Sequence, residues 1–527
     1  MLVLNNARIL TLDPARPHCT ALAVQGGQIV MTGSDAEVLA NAPKDAERRD
    51  LNGKTVWPGL TDAHLHLEYY SLGLQKVDCE TAERRECLRR IGERAHQTPP
   101  GEWILGHGWN QNVWPEGFGS AADLDAVAPD HPVYLTAKSL HAAWANSRAM
   151  QLAGIGANTP DPPGGVLQRD AQGQPTGVLF ESAMQLVERT IPEPTIEQVT
   201  AAIDAAQPSL WRMGLTGVHD FDRRRSFAAL QTLLAEDRLW LRVVKGIPFE
   251  DLPHAVALGL RSGFGHERLR IGSVKMFADG ALGPQTAAML QPYENTATTG
   301  MAMLDEEDIF EAGRLAAQSG LSLAIHAIGD AANHAVLNGY AQLRAFETDQ
   351  RLPHLRHRIE HVQLIHPDDI PRLSSLGVIA SMQPVHATSD MLIADRYWGA
   401  RAATAYAWRS LRQAGAALAF GSDAPVESPD PFRGLYAAIT RRREDGSPSP
   451  EGWRPEQRLS LEAALAGFTT GAAYAAGLEK QGGKLAPGYF ADLIVLPEDP
   501  FQGPPEQLLS IQTEATMVSG RWVWQAQ

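Results

Sequence analysis

The order of strand-like and helix-like segments in the middle of the chain is the feature that most limits its fold. Eight short apolar runs occur there, and helix-like segments such as 308–320 and 330–346 separate most of them. Strands that alternate with helices form parallel sheets, and eight strands can close a (β/α)8 barrel. We therefore predict an α/β fold with a TIM-like barrel. The predicted strands lie within 59–67, 216–221, 241–247, 269–280, 321–330, 356–365, 377–384 and 417–425.

The connection after the first predicted strand is too long for a simple barrel. Residues 67–215 cannot form one helix, so we predict a large inserted subdomain over the barrel mouth. The two chain ends carry similar short β-rich runs, and neither end is large enough to bury a sheet alone. We expect residues 1–57 and 480–527 to combine in one small β-sandwich, with the barrel domain over 58–479.

Charge and composition argue against several classes of partner. The 61 acidic residues exceed the 46 basic ones, and the formal net charge of −15 disfavours nucleic acid or an anionic membrane. The three cysteines, Cys19, Cys79 and Cys87, follow no metal or redox spacing, which favours a reducing cytoplasm. The first residues lack the pattern of a secretory signal, and no apolar run is long enough to cross a bilayer. We expect a globular, cytoplasmic protein.

Side chains that bind metals well lie at the carboxyl ends of four predicted strands. His64 and His66 end the first strand, and because strand side chains alternate, both imidazoles face the same side. His326, His361 and Asp423 end the fifth, sixth and eighth strands. Barrel enzymes keep their sites at this end, so we expect the five side chains to meet on one rim. Imidazole and carboxylate together indicate zinc or a similar divalent ion, with a position left for water.

A lysine interrupts the apolar run of the fourth predicted strand. Lys275 precedes Asp279 by four residues in the segment "VKMFADGALG". A buried ammonium is costly unless it is paired or its chemistry is changed. Two interpretations stay open: an unmodified Lys275 paired with Asp279 beside a single metal, or a modified lysine that takes part in the site.

These residues, together with the closing segment "GGKLAPGYFADLIVL", resemble the amidohydrolase superfamily of metal-dependent hydrolases. The segments "GHGWNQ", "LHAAWANSRAM" and "VKMFADGALG" are similar to the branch that contains N-substituted formamide deformylase, amidohydrolase family 3. The resemblance covers essentially the whole chain. It departs at Asn110, where the branch often has aspartate. The resemblance implies two zinc ions bridged by Lys275 after its carboxylation by carbon dioxide, or one ion if Lys275 is unmodified.

The resemblance also implies a role for each ligand. His64 and His66 would hold one ion, His326 and His361 the other, and Asp423 would contact the first. With His361 and Asp423 as catalytic residues, Asp423 would take a proton from the attacking water and deliver it to the departing amine. The implied reaction is hydrolysis of an amide or formamide-type C–N bond in a small-molecule substrate.

Other functions of the same barrel are weighed against this one. A deaminase or a cyclic-amide hydrolase of the superfamily is the first alternative. Deaminases usually carry a glutamate shortly after the fifth-strand histidine, whereas "HAIGDAANH" offers Asp330. A non-catalytic binding or regulatory protein is the second alternative, and an inactive barrel of that kind would be expected to lack some of the ligands. All of them are present in this chain.

Six further side chains are candidates for substrate contacts. The tryptophans among them have ordinary packing as their alternative, and His107 and His386 have simple exposure as theirs. A homodimer is the default assembly. The six candidates are His107, Trp109, His141, Trp144, Asp279 and His386.

Overall fold

The computed structural model of the protein describes residues 1–138 and 141–526. The chain divides into a main unit, Met1–Tyr70 with Ile203–Gln527, and an inserted unit, Ser71–Ala202. The inserted unit lies within the predicted insertion 67–215, whose bounds stay a prediction. Residues just after it stay with the main unit because their side chains bond there, as when Gln207 Nε2 donates to the carbonyl oxygen of Arg238 at 3.0 Å.

Short strands, with helices between some of them, form the part of the chain up to Arg212. As far as residue 73 it contains β1 (Leu2–Asn5), β2 (Arg8–Leu10), β3 (His18–Cys19), β4 (Ala21–Gln25), β5 (Gln28–Gly33), α1 (Asp35–Asn41), β6 (Glu47–Asp50), β7 (Thr55–Pro58), β8 (Leu60–Leu65) and α2 (Leu67–Gly73). The next part contains β9 (Val77–Asp78), α3 (Arg84–Gln97), β10 (Ile104–Trp109), α4 (Ala121–Val127), β11 (Val133–Ala137), β12 (Ala142–Ala145), α5 (Ser147–Leu152), β13 (Gly165–Arg169), β14 (Pro175–Glu181), α6 (Gln185–Glu188) and α7 (Ile196–Arg212).

The remaining chain continues the alternation of strands and helices and ends in three strands. Up to residue 349 it contains β15 (Leu215–Asp220), α8 (Arg224–Ala235), β16 (Arg242–Pro248), α9 (Leu252–Ala257), β17 (Gly265–His266), β18 (Leu269–Phe277), α10 (Glu306–Gln318), β19 (Leu323–Ala327) and α11 (Asp330–Asp349). Beyond it lie β20 (Arg358–His361), α12 (Ile370–Ser375), β21 (Ile379–Met382), α13 (Pro384–Trp398), α14 (Trp408–Gln413), β22 (Leu418–Phe420), α15 (Pro431–Thr440), α16 (Leu461–Ala466), α17 (Ala472–Ala475), β23 (Leu493–Leu496), β24 (Ala515–Val518) and β25 (Arg521–Gln525).

Eight parallel strands form the barrel of the main unit. Their order is β8, β15, β16, β18, β19, β20, β21 and β22, and each of the eight predicted segments contributes one of them. The predicted TIM-like barrel is thereby confirmed. The barrel strands are buried on both faces, as in the fully buried β21, because helices such as α11 pack against the outside of a parallel sheet.

Residues just beyond β22 join the last barrel strand to the first. The Asp62 carboxylate of β8 accepts hydrogen bonds from the backbone N–H of Ser422 at 3.1 Å and from the Ser422 hydroxyl at 2.5 Å. The backbone N–H of Asp423 donates to the carbonyl oxygen of His64 at 2.7 Å. The same residues that bring the barrel ends together therefore lie beside the predicted ligands.

Both ends of the chain contribute to two further sheets of the main unit. One sheet has the order β25, β24, β23, β7, β2, β3, and the other has the order β5, β4, β1, β6. Side chains from both sheets share one apolar core, in which Leu22 and Val24 lie with Val56, Leu493 and Met517. Strand β7 leads directly into β8, so this layer is continuous in sequence with the barrel.

The inserted unit has its own sheet and its own core. Its strands follow the order β13, β14, β12, β11, β10, β9, and Ile91, Leu124 and Leu135 pack in its interior. No helix in the described part of the chain is both long enough and apolar enough to cross a lipid bilayer.

The bonds to Asp62 give a prediction for stability. Asp62→Ala leaves the backbone N–H groups of His64 and Ser422 buried without their acceptor, and each such group costs about 1 to 3 kcal/mol. We expect a clear fall in the thermal midpoint measured by calorimetry. Asp62→Asn keeps one carboxyl-like oxygen as acceptor and is the matched control, with a smaller fall. An Asp62→Ala protein as stable as the wild type would contradict the role of Asp62 in closing the barrel.

Candidate metal centre

The predicted ligands lie at the carboxyl ends of the barrel strands, and the backbone is strained at two of them. His361 has φ +77° and Asp423 has φ +60°, and Val362 after the first also has a positive φ of +44°. Side chains other than glycine avoid this region, and such strain clusters at functional sites. In a regular strand Glu360 and His361 would face opposite sides. The strained turn lets both approach His64.

His64 is held by a buried carboxylate. Its Nδ1 donates to Glu360 Oε2 at 2.5 Å, and both side chains are almost completely buried. This bond fixes the ring and the tautomer, because the proton on Nδ1 leaves the lone pair on Nε2. Nε2 lies 3.5 Å from Asp423 Oδ1.

Arg358 holds Glu360 in turn. Its Nε and Nη2 donate to the two oxygens of that carboxylate, and Nη2 also reaches the carbonyl oxygen of Ala63 at 2.6 Å and the hydroxyl of Ser381 at 2.5 Å. Nη1 donates to His219 Nδ1 at 2.9 Å. One guanidinium thus links side chains or backbone of β8, β15, β20 and β21 beneath the predicted ligands.

His66 is held in the same way by a different acid. Its Nδ1 donates to Asp222 Oδ1 at 2.9 Å, and its Nε2 lies 3.4 Å from Asp423 Oδ1. Burial lowers the pKa of His66, but the two carboxylates outweigh this effect and raise the pKa to about 9. The excess of negative charge at this point favours a cation.

The other two histidines complete the rim. His361 Nδ1 donates to Gln383 Oε1 at 2.8 Å, which leaves Nε2 as its ligand atom. His326 shows the opposite arrangement, because its Nε2 donates to the carbonyl oxygen of Gly280 at 2.9 Å and its Nδ1 is left. The His361 ring centroid lies 4.6 Å from that of His326 and 5.0 Å from that of His64.

The donor set fits a divalent ion. One ligand atom each from His64, His361 and Asp423 lie within 4.8 Å of one another, and all three side chains are buried. Burial and the charge of Lys275 lower the pKa of His64 to about 4, and burial holds the pKa of His361 well below its usual value. Both imidazoles are therefore neutral, the form that binds metals. The division of His64 and His361 between two ions, which the family resemblance implies, stays a prediction.

Lys275 is buried next to this cluster. Its Nζ lies 4.9 Å from the ring centroids of Phe221 and Phe277, and among the described residues it makes no hydrogen bond or ion pair. Burial lowers its pKa to about 8. The same ammonium lowers the pKa of His64 and of His326, so it lies near both histidines.

Asp279 does not pair with Lys275 in the described structure. Its carboxylate accepts three backbone N–H groups, from Ile328 at 3.0 Å, Gly329 at 2.8 Å and Ala288 at 2.9 Å. These bonds tie the loop after β18 to the loop after β19. Asp279 is a substrate candidate from the sequence, but its hydrogen bonds indicate that it organises these loops.

His386 faces the cluster of His64, His361 and Asp423 from the start of α13. Its Nε2 lies 3.9 Å from Asp423 Oδ2, and its ring stacks over that of His361 with centroids 6.0 Å apart. Only 7% of His386 is exposed, yet Nε2 has no hydrogen-bond partner among the described atoms. Nearby Gln363, whose Nε2 lies 3.4 Å from His386 Nδ1, has an unpartnered Oε1. These buried polar atoms suit contacts with a polar ligand.

The other four substrate candidates belong to the inserted unit. Trp109 and Trp144 are buried in its core and donate to the carbonyl oxygens of Leu135 and Ser120, each at 2.9 Å. This arrangement favours ordinary packing, the alternative that the sequence left open. The two histidines have partners within the same unit: His107 Nδ1 lies 2.9 Å from Thr136 Oγ1, and His141 Nδ1 lies 3.0 Å from Glu181 Oε1.

Sequence reasoning missed four side chains that orient the ligands: Arg358, Glu360, Asp222 and Gln383. Arg358 and Glu360 carry a signal that was available, because two charged residues at alternate positions of a buried strand share one face and need partners. The sequence offers no comparable signal for the pairing of Gln383 with His361, which depends on the strained backbone of His361.

Known proteins resemble this chain over nearly its full length. The model of the family described as "Amidohydrolase family" matches residues 47–524. YtcJ of Bacillus subtilis, a putative amidohydrolase by name, is 33% identical over 98% of this chain and 98% of its own. N-substituted formamide deformylase of Arthrobacter pascens is 29% identical over 98% and 97%. The crystal structure of an uncharacterized metal-dependent hydrolase from Pyrococcus furiosus shares 30% identity over 95% of this chain and 99% of that chain, with a TM-score of 0.79.

The bond from His64 to Glu360 gives a prediction for metal affinity. Glu360→Gln keeps the size of the side chain but loses the charge that holds the His64 Nδ1 proton. We expect zinc affinity, measured by competition with a chromogenic chelator, to fall about 10-fold or more, the usual effect of removing such a partner.

A matched control exists in the same barrel. Glu347 accepts from His357 Nε2 at 3.0 Å and from Arg344 Nη1 at 2.6 Å, which reproduces the glutamate, histidine and arginine chemistry away from the predicted ligands. Glu347→Gln is expected to lower the thermal midpoint and leave zinc affinity unchanged. Equal zinc affinities in Glu360→Gln and the wild type would contradict the positioning role.

Proposed function

The chain is a metal-dependent hydrolase that belongs to the amidohydrolase family, and we propose that it cleaves an amide or formamide-type C–N bond at the His64, His361 and Asp423 cluster. One observation carries this proposal. His64 and His66 have Nδ1 bound to carboxylates, and Nε2 of each histidine approaches the same Asp423 oxygen. This arrangement brings three metal-binding atoms together, His64 Nε2, His66 Nε2 and Asp423 Oδ1, and leaves Asp423 Oδ2 as a proton acceptor.

The protein supplies the proton transfers of the proposed reaction. A divalent ion held by His64, His361 and Asp423 would act as a Lewis acid that makes water more acidic and polarises a carbonyl group. Burial would raise the pKa of Asp423, but the histidines around it hold that pKa well below its usual range, so the residue is a carboxylate. Asp423 Oδ2 takes the proton of the attacking water and delivers it to the departing nitrogen. His386 Nε2 lies 3.9 Å from Asp423 Oδ2 and is therefore placed to contact the substrate amide beside that oxygen.

The buried polar atoms beside the cluster support an amide-type substrate. Gln363 Nε2 faces His386 Nδ1, so the His386 proton lies on Nε2, which becomes a donor. Gln363 Oε1 is an acceptor without a partner among the described atoms. A donor and an acceptor side by side match an amide, which offers both a carbonyl oxygen and an N–H. The similarity to an N-substituted formamide deformylase points to the same class.

We further propose that Lys275 is carboxylated and bridges two zinc ions. Three observations support this. The lowered pKa of Lys275 exposes the neutral amine that attacks carbon dioxide, and Asp279 is engaged elsewhere. The charge on Nζ also acts on both His64 and His326, the histidines that would hold different ions. His326 Nδ1 and His361 Nε2 would then hold the second ion. The carbamate would supply the negative charge that two dications require.

The acidic side chain nearest to the position that a deaminase would use has a structural role. Asp330, the acid that follows His326 in the sequence, is buried at the start of α11. Its Oδ1 accepts the backbone N–H of Leu290 at 2.8 Å. An acid bound in this way is poorly placed to protonate a substrate ring, which favours amide hydrolysis over deamination.

Replacing the proposed base tests the reaction. Asp423→Asn has nearly the same shape, so we expect the fold and most of the metal to remain while turnover falls by about two orders of magnitude or more. The measurement is initial rate on a panel of formamides, acyl-amines and lactams, with metal content by elemental analysis. Asp430→Asn, which changes an aspartate that caps α15, is the control and should retain turnover. Near-wild-type turnover in Asp423→Asn would reject the assigned role.

The bridge is tested by Lys275→Ala. If Lys275 is a carbamate, the variant should bind one zinc ion per chain where the wild type binds two, as counted by elemental analysis. Added formate or acetate should restore part of the activity by supplying the missing carboxylate. His326→Ala is the control, since it also removes a ligand but leaves Lys275 in the bridging position, so formate or acetate should not restore its activity. Retention of both ions and normal turnover by Lys275→Ala would reject the bridge.

A further inference from the structure

Large apolar side chains remain exposed where the barrel strands end beside the metal cluster. Phe277 is 49% exposed, Tyr69 57% and Val426 67%. Phe277 ends β18, and the other two follow β8 and β22, so three separate strands that carry or precede predicted ligands are involved. Exposed apolar groups that gather at a polar site are typical of ligand-binding surfaces. Their position beside the ligands distinguishes them from isolated apolar residues elsewhere on the surface.

Phe277 is in direct contact with the site. It lies two residues after Lys275 in β18, so both side chains face the same side. The Phe277 ring centroid is 5.3 Å from that of His326 and 4.9 Å from Lys275 Nζ. About half of the residue's surface nevertheless stays open to solvent.

Tyr69 and Val426 lie close to other predicted ligands. The Tyr69 ring centroid is 6.1 Å from that of His66. Val426 lies in a turn that begins at Asp423, whose carbonyl oxygen accepts the Val426 N–H at 2.9 Å. The Tyr69 ring therefore neighbours His66, and Val426 lies one turn beyond Asp423 in the chain.

Two exposed methionines lie in a segment whose backbone pairs with the residues just after Phe277. Ala302 forms an antiparallel bridge with Asp279, and the Met303 N–H donates to the carbonyl oxygen of Ala278 at 2.8 Å. The side chains of Met301 and Met303 are both about half exposed. Methionine is flexible and fits apolar ligands of varied shape.

We infer that Phe277, Tyr69, Val426, Met301 and Met303 form an apolar substrate subsite beside the metal cluster. The subsite takes an aromatic or branched aliphatic substituent of the substrate, while the buried polar atoms near Asp423 take its amide group. This inference rests on the proposed function, because the C–N bond cleaved at the cluster determines where the substituent of the substrate lies. It narrows the substrates to amides that carry a large apolar group and disfavours small or charged ones.

Binding of hydroxamic acids to the zinc-loaded, full-length protein tests the subsite without an identified substrate. Acetohydroxamate and phenylacetohydroxamate share a metal-binding head and differ in the apolar tail. We expect the phenyl compound to bind about 10-fold or more tightly in calorimetric titration, as burial of a ring predicts. In Phe277→Ala this ratio should fall to about threefold or less, with the affinity for acetohydroxamate unchanged.

A second exposed phenylalanine provides the control. Phe264 precedes β17 and β18, at the amino end of the barrel strands, and is 66% exposed. Phe264→Ala removes the same ring from the opposite end, so the ratio of affinities should stay at its wild-type value. Met303→Ala serves as a milder second variant if Phe277→Ala does not fold, and it should lower the ratio in the same direction.

The outcomes separate the subsite from the proposed function. Equal affinities for the two acids in the wild type, or a ratio that Phe277→Ala and Met303→Ala leave unchanged, would overturn the subsite while the metal centre stands. Failure of both acids to bind a protein that holds its zinc would also overturn it. A protein that takes up no zinc would overturn the proposed function, and the subsite with it.

Discussion

The buried guanidinium of Arg358 is the interaction on which the arrangement of the site depends. A charge inside a barrel is stable only when every donor has a partner, and Arg358 finds its partners on four strands. TIM barrels usually fill this space with branched apolar side chains. Here the layer below the ligands is polar, and Glu360 connects it to His64 through a hydrogen bond. The position of His64 is therefore set by the barrel interior.

The barrel could be predicted because its signals are local and repeated. Each strand is a short apolar run, and helices separate most of these runs in the same order along the chain. The positions of His64, His66, His326 and Asp423 beside strand ends follow from that order, since parallel strands end at one rim. The pairing of strands from both chain ends also follows from sequence, because neither end can bury a sheet alone. These inferences need only the periodicity of the apolar residues, the lengths of the segments and the residue types at their ends.

What the sequence could not provide depends on exact backbone geometry and on burial. Regular alternation separates Glu360 from His361, and only the positive φ at His361 brings both to His64. The loops around Asp279 are organised by backbone N–H groups, which no residue pattern reveals. Trp109 and Trp144 look like candidates for a binding surface, yet whether a ring lies in a core or on a surface depends on the packing of the inserted unit.

The hydrogen bond from Asp423 N–H to the His64 carbonyl oxygen ties the completion of the fold to the assembly of the site. His64 leaves the ribosome early and Asp423 late, so the nascent chain holds histidines without the carboxylate for most of its synthesis. The cluster of His64, His361 and Asp423 is complete only when the segment after β22 lies against β8.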